Sequence, residues 1–222
     1  RGALLAPWPN RTTDGRYDFG GRTHQLPLNE PVQRTAAHGL IAWQDFSAVH
    51  HDRQRLVLES TIAARAGYPW RIGLEVAFSL SEDGLRQAVT ATNLSPEPAP
   101  FGLGWHPYAV AGPSSPHAVD RWWLQVPAGR AMLVSEDRML PTALVEVGTH
   151  DQGALDFRRP RRIGPTVLNN AFGDMEPAPD GRIHVRLTDR RGLGVELDFA
   201  PRLRWVQLYT SDLPGEPADR SA

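Results

Sequence analysis

The stretch Arg71-Ile72-Gly73-Leu74-Glu75-Val76-Ala77-Phe78-Ser79-Leu80 decides the fold. Ile72, Leu74, Val76, Phe78 and Leu80 fall on alternate positions, separated by Gly73, Glu75, Ala77 and Ser79. A period of two sends the apolar set to one face of an extended chain and the polar set to the other, which is the pattern of a half-buried β-strand. Ser81-Glu82-Asp83-Gly84 supplies turn chemistry. Beyond it Leu85, Val89 and Ala91 take one face, and Arg86, Thr90 and Thr92 the other. Two alternating runs joined by a short Gly-containing turn predict a β-hairpin.

The same pattern returns near the C-terminus. Ile183, Val185 and Leu187 alternate with His184 and Arg186; after Asp189-Arg190-Arg191-Gly192 come Leu193, Val195, Leu197 and Phe199 at alternate positions. Weaker strands are expected at 55–63, 101–107, 121–126 and 203–210. The 20 Gly and 20 Pro fall mostly between such runs, where strand interiors do not have to accommodate them. The segment Asn169–Met175 predicts a short helical turn. Many antiparallel strands with one wet face predict an all-β chain, a large antiparallel β-sandwich, forming a single domain over residues 1–222.

Composition narrows the chemistry. All 24 basic residues are Arg, and the absence of Lys removes Schiff-base and P-loop mechanisms. With no cysteine there is no disulfide framework, no thiolate metal site and no cysteine nucleophile. A net charge of −1 argues against nucleic acid or an anionic membrane as partner. No apolar run approaches the roughly 20 residues of a membrane span, and with no targeting feature in view a cytoplasmic location is the expectation.

The eight histidines are the natural candidates for acid–base work near neutral pH. His184 lies on the polar face of a strand, and His24, His117 and His150 lie in turn-like surroundings, so all four are expected to be solvated. The adjacent His50 and His51 would point to opposite faces of a strand and chelate a metal poorly; no metal site is expected. His106 stands apart, within Gly102-Leu103-Gly104-Trp105-His106-Pro107-Tyr108. There two glycines allow close backbone approach, and Trp105 and Tyr108 offer flat faces to sugar C–H surfaces. His38, in Ala37-His38-Gly39-Leu40 with Trp43 nearby, follows by the same reasoning. Arg11, after Pro7-Trp8-Pro9-Asn10, could present a guanidinium fork to hydroxyls. Among the carboxylates Glu75, Asp174, Glu176, Glu196 and Glu216, no pair stands out at the spacing a glycoside hydrolase needs.

Six segments together resemble the aldose 1-epimerase (galactose mutarotase-like) family, in family order: Ala6-Pro7-Trp8-Pro9-Asn10-Arg11, His38-Gly39-Leu40, Gly67-Tyr68-Pro69, Gly104-Trp105-His106-Pro107-Tyr108, Leu168-Asn169-Asn170-Ala171-Phe172 and Val206-Gln207-Leu208-Tyr209-Thr210. The resemblance implies a β-sandwich that interconverts the α and β anomers of a free hexose such as galactose or glucose, without a cofactor, as a monomer or homodimer. It implies that His106 is the general acid on the ring oxygen. It further implies that His38, Arg11, Asn10, Asn169 and Gln207 surround the sugar, with His38 and Arg11 stabilising developing charge. Two departures accompany it. Asn169 stands where the family usually carries Asp. The family's catalytic glutamate is expected beyond Ala222, since Glu216 lies too close to Thr210; the chain is accordingly expected to be an internal piece of a longer epimerase, without its first strands or its C-terminal segment. A non-catalytic carbohydrate-binding protein and a hexose-6-phosphate epimerase are the alternatives on the same fold.

Overall fold

The computed structural model describes residues 2–211 and 220. The chain divides into two compact units, Arg1–Pro107 and Tyr108–Ala222, each with its own hydrophobic core.

The first unit contains β1 (Ala3–Leu5), β2 (Arg11–Thr13), β3 (Arg16–Phe19), β4 (Arg22–Gln25), β5 (Thr35–Ala37), β6 (Ser47–His51), β7 (Arg55–Ile62), β8 (Ile72–Ser81), β9 (Gly84–Asn93) and β10 (Gly104–His106). Strands β6 to β9 form an antiparallel meander in which each strand pairs with its neighbour in sequence. The β8–β9 hairpin closes Ser81 on Gly84, so Glu82-Asp83 is the two-residue loop. Ile72, Leu74 and Val76 of β8 enter the core with Leu26, Ile41, Ile62, Tyr68 and Trp70. The alternation fades along the strand: Phe78 is half-buried and Leu80 exposed, while of the expected β9 face Val89 is half-buried and Leu85 and Ala91 lie open. β9 has a strand on one side only among the described residues, and an edge strand has less to bury against.

The second unit contains a short helix α1 (Ala118–Arg121) and strands β11 (Trp123–Gln125), β12 (Ala128–Val134), β13 (Pro141–Glu146), β14 (Arg161–Arg162), β15 (Asn169–Met175), β16 (Ile183–Thr188), β17 (Gly194–Phe199) and β18 (Val206–Tyr209). They form two four-stranded sheets, ordered β14-β11-β16-β17 and β13-β12-β15-β18. Ala131, Leu168, Phe172, Ile163 and Val185 lie in the shared core of this unit.

One expected helical turn is instead a strand. Asn169–Met175 is β15, an inner strand paired with β12 on one side and β18 on the other. Leu168 and Phe172 are four apart, and a spacing of four satisfies both a helix and a two-residue period. The two flanking ladders settle which one forms.

His184 is also more than a solvated side chain. Its Nδ1 lies 2.6 Å from Glu196 Oε1 and its Nε2 2.9 Å from Asp180 Oδ2. A ring with a carboxylate at each nitrogen favours the imidazolium, since only that form donates from both. The hydrogen bonds to Glu196 and Asp180 raise its pKa above 6.5. This stabilising contribution is therefore fully present below pH 6.5, while the carboxylates stay ionised, and is lost as pH rises through the raised value. The difference in melting temperature between wild type and His184→Gln should shrink steadily on titration from mildly acidic to alkaline pH. A difference that does not change with pH would rule out the charged pairing.

His24 and His117 likewise have partners. His24 stacks on Tyr17 with ring centroids 5.0 Å apart and packs against Trp70, and His117 Nδ1 lies 3.0 Å from Asp120 Oδ2. Among the described residues no helix is long and apolar enough to cross a membrane.

Candidate active site

Four of the six expected site residues meet in the first unit. β1 organises them. Along its length Ala3 pairs with His106 of β10, and the next residue past its end, Ala6, bridges Gly39. The Leu40 amide donates to the Ala6 carbonyl at 2.7 Å. The backbones cross so closely here that a Cβ on Gly39 would lie 2.1 Å from the Ala6 oxygen, and the residue has φ +73°. Only glycine fits both the space and the conformation. Gly104 has a similar reason: a Cβ there would lie 2.9 Å from Pro9 Cβ. The close neighbour that its missing side chain admits is the Pro7-Trp8-Pro9 segment, whose Trp8 indole N–H donates to Ala36 O at 3.1 Å.

His38 follows β5 directly and has left-handed backbone, φ 65°. Its amide donates to Asn10 O at 2.8 Å, which ties it to the residue preceding Arg11. The His38 and His106 rings stand edge-to-face, with centroids 5.9 Å apart and planes at 86°. His38 Nδ1 is buried and has no hydrogen-bond partner among the described residues. Burial lowers the His38 pKa below 6.5, and the charges of Arg11 and His106 push the same way, against an upward pull from Glu30. The lowered pKa leaves His38 a neutral imidazole at neutral pH, able to donate from one nitrogen and accept at the other.

Arg11 sits on β2, opposite Ala37 of β5. Its guanidinium does not point freely at solvent. Nε donates to Glu30 Oε2 at 2.7 Å, Nη2 to Glu30 Oε1 at 2.9 Å and Nη1 to Asn10 Oδ1 at 3.3 Å. Glu30 also accepts from Thr35 Oγ1 at 2.7 Å. Burial raises the Glu30 pKa, but the hydrogen bonds from Arg11 and Thr35, with Arg11's charge, outweigh it and hold the carboxyl below 4.5. Glu30 was absent from the carboxylates the sequence singled out. It lies in an aperiodic loop 19 positions from Arg11, and only the fold pairs them.

Trp105 does not share the face of His106. Neighbours on a strand point opposite ways, and the Trp105 indole N–H donates to Gly2 O at 3.2 Å.

The other two expected residues meet in the second unit. Asn169 of β15 pairs in register with Tyr209 of β18, and Gln207 Nε2 donates to Asn169 Oδ1 at 3.1 Å. Asp174 cannot stand in for the carboxylate missing at Asn169. It lies five positions along β15, about 16 Å away at the usual strand rise. Of the remaining carboxylates, Glu75 is exposed on β8 and Glu196 is held by His184 and Arg186. Glu216 lies outside the described residues. Among the described residues no group of three or more His, Asp or Glu could hold a metal ion.

Comparison with known proteins bears on the family and the fold. A family model described as aldose 1-epimerase matches residues 1–221. The uncharacterized protein YihR of Escherichia coli (strain K12) is 33% identical over 212 residues, covering 95% of this chain and 65% of that protein. The chain thus spans slightly less than two thirds of the length of that curated relative. A galactose mutarotase-like protein from Clostridium acetobutylicum superposes with a TM-score of 0.77 at 18% identity, over 94% of this chain and 64% of the other. Galactose 1-epimerase from Lactobacillus acidophilus NCFM does so with a TM-score of 0.63 at 23% identity, over 82% and 57%. At such identities the likeness shows the fold, an all-β galactose mutarotase-like sandwich.

Proposed function

The chain belongs to the aldose 1-epimerase family, and from that premise we propose that it serves to interconvert the α and β anomers of a free hexose such as galactose or glucose. The observation that carries this reading is the edge-to-face pair of His38 and His106 beside the Arg11 guanidinium. Ring opening needs a proton delivered to the ring oxygen and another removed from the anomeric hydroxyl, the second passing to water or to a carboxylate outside the described residues. His106 is the acid, and a positioned acid contributes about 10²–10⁴-fold. His38, neutral, hydrogen-bonds the sugar without competing for that proton, and the Arg11 charge stabilises the oxygen on which negative charge develops. Glu30 is not the base: its oxygens are taken by Arg11 and Thr35, and a carboxyl held below 4.5 is a poor proton acceptor. Asn10 is assigned to a sugar hydroxyl, which an amide side chain serves as both donor and acceptor; Asn169 and Gln207, in the second unit, hydrogen-bond each other.

Polarimetry of freshly dissolved α-galactose and α-glucose tests the reading. Acceleration of the approach to anomeric equilibrium is expected. Sugar binding with no acceleration would instead make the protein a carbohydrate-binding member of the same fold.

A further inference from the structure

Arg11 reaches Glu30 in a way that dictates what the guanidinium can still do. β5 lies between the two: on one edge it pairs with β2, and on the other Thr35 is bridged to Glu30 by reciprocal backbone hydrogen bonds of 3.2 and 3.1 Å. Arg11 therefore crosses β5 to bind a carboxylate on its far edge. A guanidinium has five N–H groups in a rigid plane. The Nε–Nη2 edge is spent on Glu30 and one Nη1 bond on Asn10, which leaves two N–H groups in a fixed direction. The contact is part-buried, with side-chain exposures of 16% for Arg11 and 26% for Glu30. Two-point pairing of this kind fixes orientation as well as charge.

We propose that Glu30 is a positioning residue for this site, one that locks the Arg11 fork so that two of its N–H groups face a single sugar oxygen and that balances the Arg11 charge beside His38. The proposal rests on the anomer-interconversion reading for its catalytic consequence, but not for its electrostatic one. The charged and titratable groups acting on His38 are Arg11, His106 and Glu30. Of these only Glu30 favours the imidazolium, so its loss should push His38 further toward the neutral form. A purely structural role would not do that.

Two variants and one wild-type measurement test this. In the wild type the Arg11 Nε proton, held by Glu30, should give a slowly exchanging NMR signal; its absence would overturn the proposal. In Glu30→Gln that signal should be lost and the His38 midpoint, followed through its ring protons, should fall by about 0.5–1 pH unit, the size expected of one nearby charge in a partly screened site. Glu30→Asp keeps the charge but shortens the reach. It should leave the His38 midpoint near its wild-type value while kcat/KM for α-galactose falls roughly 10- to 100-fold, the scale of a misplaced binding group. A folded Glu30→Gln whose His38 titrates as in the wild type would overturn the proposal, as would a Glu30→Asp of undiminished kcat/KM. If the wild type fails to accelerate mutarotation, the functional reading fails alone, because the Arg11 signal and the His38 titration still decide what Glu30 does.

Discussion

His106→Ala is expected to lower the catalysed rate of α-galactose mutarotation by about 10²–10⁴-fold, the range for removal of a general acid. The substitution deletes the imidazole from β10 but leaves the ladder intact, because β10 pairs with β1 through backbone groups and the Gly2 amide donates to the His106 carbonyl at 2.9 Å. Sugar affinity should therefore fall much less than the rate, since Arg11, Asn10 and His38 keep their backbone supports. Polarimetry for rate and calorimetric titration with galactose for binding give the two numbers. A variant that retains wild-type rate would remove His106 from the proton transfer altogether. Equal losses of rate and affinity would make His106 a binding group instead.

Gly39→Ala should be nearly as damaging, though no atom of Gly39 would touch substrate. The added Cβ would lie 2.1 Å from Ala6 O and 2.4 Å from Ala6 C, on a residue at φ +73°. Left-handed backbone costs a non-glycine residue about 1–3 kcal/mol, and forcing a backbone apart in a packed region adds roughly 1–3 kcal/mol. The Ala6 carbonyl is also the acceptor for the Leu40 amide. Relief of the clash therefore moves the loop that carries His38. Denaturant unfolding should show the loss of stability, and the His38–His106 apposition should be disturbed in whatever remains folded. A variant as stable and active as wild type would contradict the close crossing of Ala6 and Gly39.

The long hairpins were legible because their two faces differ chemically. The alternation of Ile72, Leu74 and Val76 against Gly73 and Glu75 predicts β8, and the Ser81–Gly84 turn predicts its partner; both are present in register. The same holds for β16 and β17. The three- and four-residue strands β2 to β5 were not legible, since so few residues establish no period. The candidate site follows the same division. Asn10, Arg11, His38 and His106 could be named from short motifs rich in Gly, Pro and Trp. Glu30 could not, because what brings it to Arg11 is a bridge across β5 rather than any local pattern. The partners of His184 are illegible for a related reason: Glu196 lies on the next strand, two pairs along the ladder from the Asp198 that faces His184.

The pairing of β1 with β10 has a consequence for how the molecule assembles. Strands β6 to β9 join only sequence neighbours, so their contacts close short loops and can form early. β1 must find a partner about a hundred positions away, as the Trp105–Gly2 hydrogen bond at a separation of 103 residues shows. Closing so long a loop costs entropy before any contact repays it. The two histidines meet only through that late closure, so in refolding, the His38–His106 apposition should lag behind formation of the meander.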